Sequence, residues 1–255
     1  MTDREFFTAD EIAGFGRDGY VIVRGLYDAQ AMADISAWTD DIQARPETAG
    51  KWMKYFDDSL TKPGTRILNR VENVCPYHDG FDGLMCSGAL PGRVAELFGE
   101  AAVLFKDKIN FKLPGGDGFA AHQDVQAGWD SYAALHITAL ISIDAATVEN
   151  GCLEAAAGHH RRGIIGESWR PMAGDELGDV EFTSLPTAPG DAVFFDSYTP
   201  HRSAPNLTGA ARRVLYITYN RRSDGDHRAQ YYADKRKSFP PDIERDPDKD
   251  YKFRV

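Results

Sequence analysis

The stretch Leu135-His136-Ile137-Thr138-Ala139-Leu140-Ile141-Ser142-Ile143 is apolar and rich in β-branched residues, and it predicts a buried strand. Further short strands are predicted at Ala101–Phe105, Lys108–Leu113, Cys152–Ala155, Ala192–Phe195 and Val214–Tyr219. Glycine- and proline-containing turns separate several of them. Many short strands behind a helical N-terminal region predict an α+β fold. We expect a double-stranded β-helix, a cupin-like jelly roll, with N-terminal helices packed on its outside.

The first hundred residues predict helices around one short strand. Thr8-Ala9-Asp10-Glu11 is a capping box that begins a helix, and Tyr20–Val23 predicts a strand. Asp28 predicts the cap of a second helix, which Pro46 ends, and Leu90–Phe98 predicts a third. Between residues 47 and 88 periodicity is poor, apart from a predicted strand over 66–71. We therefore expect a lid or binding loop there.

Composition sets limits on the class of protein. The chain has 255 residues, 42% of them hydrophobic, and a formal net charge of −10. This apolar content excludes disorder, and no apolar run approaches the roughly 20 residues of a membrane span. The acidic balance argues against nucleic-acid and membrane partners. The first residues lack the pattern of a secretory signal, and three widely spaced cysteines fit free thiols, so we expect a cytoplasmic protein.

No linker divides the chain, so we expect one domain over residues 1–255. Residues 1–100 would form the helical support and lid, and 101–220 the jelly-roll core. Residues 240–255 alternate charges and predict a solvated arm. The oligomeric state is not readable from the sequence.

His122-Gln123-Asp124 is the first candidate for chemistry. In an extended segment His122 and Asp124 point to one face, because side chains alternate along a strand. His201, which follows an apolar strand, is the best candidate for a third ligand. Two histidines and a carboxylate with open positions make the facial triad of non-heme iron(II) oxygenases. Taken alone, His-x-Asp is a weak pattern that is more often a surface or hydrogen-bonding pair.

Arg212-Arg213 supplies a second candidate. Neighbours on a strand point to opposite faces, so only one of them can face inward and grip a dicarboxylate cosubstrate as a bidentate fork. Without His201, a solvated strand edge would be the default interpretation of this pair.

Four motifs in chain order resemble the phytanoyl-CoA dioxygenase family of Fe(II)/2-oxoglutarate-dependent oxygenases. The motifs are Lys108-Ile109-Asn110, His122-Gln123-Asp124, the pair Glu149-Asn150-Gly151-Cys152-Leu153 and Gly158-His159-His160-Arg161, and His201-x-Ser203 with Arg212 eleven residues after His201. The resemblance covers about residues 100–220. Ala155-Ala156-Ala157 departs from the family, in which an apolar run ending in proline is usual.

This resemblance implies an enzyme that uses Fe(II), 2-oxoglutarate and O₂ and releases succinate and CO₂. His122, Asp124 and His201 would bind the metal, and Arg212 would pair with the distal carboxylate of 2-oxoglutarate, supported by Ser203. A carboxylate at Asp124 favours hydroxylation over halogenation. Asn110 would contact cosubstrate or substrate, although a polar residue in the wall of the fold is an equal alternative.

Cations and aromatic rings suggest a small anionic or zwitterionic substrate. We expect Lys108, Trp129, Arg66 and Tyr55 to contact it, with Lys51, Lys54 and Arg70 as further cations near the site. The stretch 122–129 resembles the 2-aminoethylphosphonate hydroxylases of the family, which make a 1-hydroxy product. An acyl-CoA or another amine is the alternative substrate. The rival functions are a non-catalytic metal- or ligand-binding jelly roll and a cupin-type isomerase or oxygenase that does not need 2-oxoglutarate.

Overall fold

The computed structural model describes residues 6–251, which form five α-helices and eleven β-strands. The helices are α1 (Ala9–Asp18), α2 (Ala29–Ala44), α3 (Asp79–Asp82), α4 (Ala89–Phe98) and α5 (Arg228–Ser238). The strands are β1 (Tyr20–Val23), β2 (Met53–Asp58), β3 (Arg66–Glu72), β4 (Ala102–Lys112), β5 (Phe119–His122), β6 (His136–Ser142), β7 (Leu153–Ala155), β8 (Thr183–Leu185), β9 (Ala192–Asp196), β10 (His201–Ser203) and β11 (Arg212–Arg221).

The strands form two antiparallel sheets. The major sheet has the order β1-β9-β6-β11-β4-β3-β2, and the minor sheet has the order β5-β10-β7-β8. Neighbouring strands of a sheet are mostly far apart in the chain, which is typical of the crossing connections of a jelly roll. The predicted α+β fold, a jelly roll supported by N-terminal helices, is confirmed.

The two faces of the major sheet differ in chemistry. Its outer face carries apolar side chains that join one large core with residues of α2 and α4. The members from the sheet include Ile109, Phe111, Ile137, Ile141, Phe194, Leu215 and Ile217, and those from the helices include Ile35, Ile42 and Val94. Burial of this face fixes the register of the strands, because a slip by one residue would turn every apolar side chain inward.

The inner face, which faces the minor sheet, is polar at one end. Lys106, Lys108, Asn110 and Lys112 alternate along β4 with the apolar residues of the outer face. Paired residues of antiparallel strands share a face, so Arg212, which lies opposite Lys112, also points inward. Part of the space between the sheets is filled by an apolar cluster that includes residues of β6, β7 and β9.

The predicted helix ends agree with the structure. The Thr8 side chain accepts a hydrogen bond from the Glu11 backbone, and the Glu11 carboxylate accepts one from Thr8, which completes the capping box of α1. Gly19 ends α1 with φ of 83°, a conformation that glycine adopts without strain. The Asp28 side chain caps α2 by accepting from Ala31.

The observed helices and strands differ from the predicted ones in three places. The strands predicted at 101–105 and 108–113 are one strand, β4, because Lys106 and Asp107 between them are both buried within it. The stretch 47–88 is not irregular, since β2 and β3 lie within it and extend the major sheet by pairing. Helix α5 was not predicted, because its strongly polar sequence carries no clear apolar stripe.

The charged tail is also placed differently from the expected solvated arm. Pro240 and Pro241 are buried, and the Glu244 carboxylate accepts a hydrogen bond of 2.7 Å from the Gly50 backbone and pairs with Arg236. Residues 240–245 are therefore held against the body of the protein. Residues 252–255 lie outside the described part of the chain. Within residues 6–251, no helix combines the length and apolar character needed to cross a membrane.

Candidate active site

His122, Asp124 and His201 converge at the polar end of the space between the two sheets. The Nε2 atoms of His122 and His201 each lie 3.9 Å from Oδ1 of Asp124, and the centroids of the two imidazole rings are 4.3 Å apart. One ligand atom from each residue can be chosen so that all three lie within 4.8 Å of one another. The sequence motifs predicted this grouping across a separation of 77 residues in the chain.

Register in the minor sheet brings the two histidines together. β5 and β10 are antiparallel neighbours, and His122 lies directly opposite His201. Asp124 does not continue the strand, as an extended His-x-Asp segment would require. It begins a short 3₁₀ turn, Asp124–Ala127, which bends the carboxylate back toward the histidines.

Main-chain carbonyls fix the tautomer of both rings. Nδ1 of His122 is 2.8 Å from the Ala120 carbonyl, and Nδ1 of His201 is 3.0 Å from the Thr199 carbonyl. A carbonyl only accepts, so each Nδ1 carries the proton and each Nε2 presents a lone pair toward Asp124. This outer hydrogen bond is the usual support of a metal-bound histidine.

The protonation states of the three side chains suit a divalent metal. Burial and the neighbouring His201 lower the pKa of His122 to about 3, and burial also lowers the pKa of His201. Burial alone would raise the pKa of Asp124, but His201, Lys108 and His122 keep it below its usual value. Two neutral imidazoles and one carboxylate are the donor set of a facial-triad iron(II) site, so the residues fit the group.

Arg212 offers a binding place for a carboxylate on the same inner face. Its side chain is only 1% exposed, and its Nε and Nη2 atoms have no hydrogen-bond partner within residues 6–251. Burying guanidinium N–H groups without an acceptor is costly, so this arrangement calls for an anionic ligand. The distal carboxylate of 2-oxoglutarate provides the matching bidentate acceptor.

Ser203 is hydrogen-bonded to Lys112, a residue that the sequence did not single out as part of the site. Lys112 donates through Nζ to Ser203 Oγ at 2.7 Å and to the Ala204 carbonyl at 2.6 Å. Burial and the neighbouring Arg212 lower the pKa of Lys112 to about 6. The signal for Lys112 was present in the sequence, because it alternates with Lys108 and Asn110 along one strand face.

Asn110 and Lys108 share the inner face with the triad. Asn110 is buried, and its Oδ1 has no hydrogen-bond partner among the described residues. Lys108 is partly buried beneath Tyr216, with Nζ 4.6 Å from the ring centroid, and it interacts electrostatically with Asp124. Burial and the neighbouring Lys106 lower the pKa of Lys108 to about 8.

The two aromatic residues predicted to contact substrate are both buried. Tyr55 lines a pocket of about 380 Å³ together with His122, and its hydroxyl donates to the Phe239 carbonyl at 2.9 Å. Trp129 packs edge-on against Phe105, and Lys106 Nζ lies 5.4 Å from the Trp129 ring centroid. The indole N–H of Trp129 has no hydrogen-bond partner within the described range.

Three predicted cations are engaged elsewhere. Arg66 is 49% exposed at its side chain and forms surface ion pairs with Glu47 and Asp242, so the expectation that it contacts substrate was wrong. Lys54 donates to the carbonyls of Gln43 and Arg45, which makes it a structural clamp. Lys51 is exposed and lies beside the Trp52 ring.

Arg213 faces away from the site. It binds Asp144 with two hydrogen bonds of 2.9 Å and Asp40 with one of 2.5 Å. The pair Arg212-Arg213 thus divides between the two faces of β11, as side-chain alternation predicts.

Comparison with known proteins agrees with this site. The model of the family described as phytanoyl-CoA dioxygenase matches residues 15–214. A 2-aminoethylphosphonate dioxygenase from an uncultured bacterium (HF130_AEPn_1) is 42% identical, with 96% of this chain and 94% of that protein covered. A methylphosphonate hydroxylase from Gimesia maris is 40% identical, with 91% and 88% covered.

Solved structures share the fold. A structure of EctD from S. alaskensis with 2-oxoglutarate and 5-hydroxyectoine superposes with a TM-score of 0.74 at 20% identity, covering 88% of this chain and 79% of that one. The epimerase SnoN in complex with Fe³⁺ and α-ketoglutarate gives a TM-score of 0.70 at 22% identity, covering 83% and 82%. The chain belongs to the phytanoyl-CoA dioxygenase family and is an Fe(II)- and 2-oxoglutarate-dependent dioxygenase.

Proposed function

We propose that this enzyme hydroxylates a small phosphonate, with 2-aminoethylphosphonate as the first candidate. The observation that carries the proposal is a group of buried cations on the inner face of the major sheet, next to the triad. The printed activities of the two relatives described above, both on phosphonates, support the same substrate class.

Three of these cations surround one carboxylate. Glu72 is fully buried and lies 2.8 Å from Nε of Arg70, 2.7 Å from Nζ of Lys235 and 3.8 Å from Nζ of Lys106. Burial alone would raise the pKa of Glu72, but the three cations hold it well below its usual value. Arg70 and Lys106 come from the major sheet and Lys235 comes from α5, where burial holds the pKa of Lys235 well below its usual value. The Arg70 guanidinium keeps its charge, and together with the lysines of β4 it would attract an anionic ligand.

Lys108 connects this cluster to the metal ligands. It lies opposite Glu72 in the pairing of the β3–β4 strands and interacts with both Glu72 and Asp124. A phosphonate bound here would place its neighbouring carbon close to the triad. An aliphatic acyl chain would gain nothing from this group of charges, so the cluster favours the small anion over an acyl-CoA.

Carboxylates near the pocket entrance suit the other end of the substrate. Asp57 and Asp117 line the pocket of about 380 Å³ that also contains His122, Tyr55 and Arg70. Phosphonate on the cations and ammonium toward these carboxylates would orient a zwitterion across the metal site. Methylphosphonate lacks the ammonium group and would use the cationic end only.

The side chains have distinct roles in this proposal. His122, Asp124 and His201 hold the metal, and Arg212 with Ser203 holds the distal carboxylate of 2-oxoglutarate. The Asn110 amide faces cosubstrate or substrate, where Nδ2 can donate to an anionic group and Oδ1 can accept from an ammonium group. Trp129 and Tyr55 form a wall of the site. When bound, iron(II) and 2-oxoglutarate together activate O₂, so that a C–H bond becomes C–OH while succinate and CO₂ are released. The surrounding burial excludes water from this chemistry.

The organisation of the chain is part of the proposal. We propose one dioxygenase domain over residues 1–255, in which 1–100 supports the core of 101–220. We also propose a cytoplasmic location, where free thiols and iron(II) both persist. A small molecule is the expected partner, with neither nucleic acid nor membrane involved.

A substrate panel tests the proposal. Succinate release would be measured with iron(II), 2-oxoglutarate and O₂ in the presence of 2-aminoethylphosphonate, methylphosphonate, choline-like amines or an acyl-CoA. We expect the strongest stimulation by 2-aminoethylphosphonate. Stimulation by an acyl-CoA or an amine, with none by either phosphonate, would contradict the substrate class.

A pair of variants tests the cationic cluster. Lys108→Met removes a cation beside the triad, and we expect the KM for the phosphonate to rise at least about tenfold, from the loss of one charge-assisted contact. Arg66→Met removes a cation on the surface and should leave that KM unchanged. Equal effects of the two substitutions would refute the placement of the phosphonate.

A further inference from the structure

Two thiols meet on the side of the major sheet where the helices pack. Cys75 begins the short 3₁₀ turn Cys75–Tyr77 after β3, and Cys86 lies in a π-helical turn, Gly83–Ser87, before α4. Their Sγ atoms are 3.3 Å apart. All three cysteines of the chain are described, and Cys152 has no such sulfur contact among them.

The two thiols differ in the way that a peroxide-sensing pair requires. Cys86 is exposed and Cys75 is buried. The contact between the two thiols lowers the pKa of Cys86, while the same contact, together with burial, raises the pKa of Cys75. Cys86 is therefore the accessible thiol that ionises more readily, with a second thiol in contact behind it.

We infer that Cys75 and Cys86 form an oxidisable pair, which hydrogen peroxide or an organic hydroperoxide converts into an intramolecular disulfide. The Cys86 thiolate attacks a peroxide oxygen, so an S–O bond forms, the O–O bond breaks and the leaving oxygen takes a proton. Cys75 then gives up its proton and attacks the Cys86 sulfur, which releases water as the S–S bond forms. In total two thiols and one hydrogen peroxide give one disulfide and two waters.

The geometry favours this reaction over metal binding. Asp82 lies beside the pair, with Oδ1 3.4 Å from Cys75 Sγ, so the three residues also resemble a set of metal ligands. Structural zinc takes four ligands, and two thiolates on one tetrahedral zinc are held about 3.8 Å apart. The sulfurs here are closer than that. A movement of little more than about 1 Å would bring the sulfurs from 3.3 Å to the S–S distance of about 2.05 Å.

Trypsin makes the test simple, because both cysteines fall on one peptide, residues 71–93, whereas Cys152 falls on residues 113–161. The full chain, freed of iron with a chelator, would be treated with hydrogen peroxide, quenched with catalase, denatured, alkylated and digested. We expect the 71–93 peptide to lose two hydrogen atoms and to escape alkylation at both cysteines. Cys152 should remain alkylated in the same sample.

Variants locate the chemistry. Cys152→Ser should form the disulfide as the unaltered chain does, and Cys86→Ser should leave Cys75 fully alkylated. Cys75→Ser should leave a sulfenic acid on Cys86 that dimedone traps. Equal alkylation of all three cysteines after peroxide would overturn the inference. Stoichiometric zinc binding that disappears in Cys86→Ser and blocks oxidation would overturn it in favour of a metal site.

Discussion

Arg212 combines two properties that rarely coexist, almost complete burial and two guanidinium nitrogens, Nε and Nη2, without an acceptor within the described chain. Burying these N–H groups without an acceptor lowers the stability of the fold. A ligand carboxylate that accepted their hydrogen bonds would remove this cost. The neighbouring residue on β11, Arg213, is the natural reference, since it points to the opposite face and is already paired.

Replacement of these two arginines gives a sharp contrast. For Arg212→Ala we expect the KM for 2-oxoglutarate to rise roughly 100-fold, from the loss of about 3 kcal/mol of charge-assisted hydrogen bonding. Arg213→Ala should leave this KM unchanged and lower the free energy of unfolding by about 1 kcal/mol. Initial rates at varied 2-oxoglutarate check both. An Arg212→Ala variant with an unchanged KM for 2-oxoglutarate would favour an oxygenase or isomerase that does not use 2-oxoglutarate.

Asp196 is a single residue that makes the free energy of unfolding depend on pH. Burial raises its pKa from 3.8 to about 6. The folded protein therefore binds the Asp196 proton more tightly than the unfolded chain does. The protonated carboxyl makes its full contribution to the free energy of unfolding well below pH 3.8, and this contribution is lost as pH rises through 6. We expect the stability of the unaltered chain relative to Asp196→Asn to fall by about 2 kcal/mol between pH 4 and pH 7. Urea unfolding at several pH values measures it, and a constant difference would show that the shift is absent.

At the scale of elements, the close approach of two loops supports the 2-oxoglutarate side of the site. Gly151 has φ of 75°, and a Cβ there would lie 2.0 Å from the carbonyl oxygen of Ala204, the residue after Ser203. Gly99, which ends α4, has a similar φ of 73° in the left-handed region and open space around it. The two glycines separate the cost of backbone conformation from the cost of the clash.

Alanine at each glycine tests this packing. Gly99→Ala should lower the free energy of unfolding by about 1 kcal/mol, the cost of a left-handed conformation alone. Gly151→Ala should lower it by about 3 kcal/mol or more and raise the KM for 2-oxoglutarate, because Ala204 and Ser203 must move. Thermal unfolding and initial rates provide the measurements. Equal losses of stability would mean that the loops are not in close contact.

The elements show what local sequence signals can predict. Capping residues and β-branched runs placed α1, α2, β1 and β6 correctly, because these signals act within a few residues. β2 was missed because its sequence carries charge at one end and gains its stability by pairing with β3, a contact that no local pattern records. The position of Asp124 in a turn was missed for the same reason.

At the scale of the whole molecule, the charge around the site is opposite in sign to the net charge of the chain. The chain carries a net charge of −10, yet the inner face of the major sheet gathers Arg70, Lys106, Lys108, Lys112 and Arg212. Spacing along β4 and β11 predicted part of this set, namely Lys108 and Arg212. Arg70, a candidate cation in the sequence, joins this face through the pairing of β3 with β4, and Lys106 joins it by alternation with Lys108 along β4. Arg66 was mistaken for a member because sequence does not reveal which cation pairs with a surface carboxylate.

The reaction with 2-aminoethylphosphonate, followed by ³¹P NMR together with succinate analysis, tests the central claim most directly. With iron(II), 2-oxoglutarate and O₂ we expect one hydroxylated phosphonate for each succinate formed, and neither product from His122→Ala, which lacks one metal ligand. Succinate and product formation undiminished in His122→Ala would contradict the assigned site. Succinate formed without any change in the phosphonate would contradict the assigned reaction.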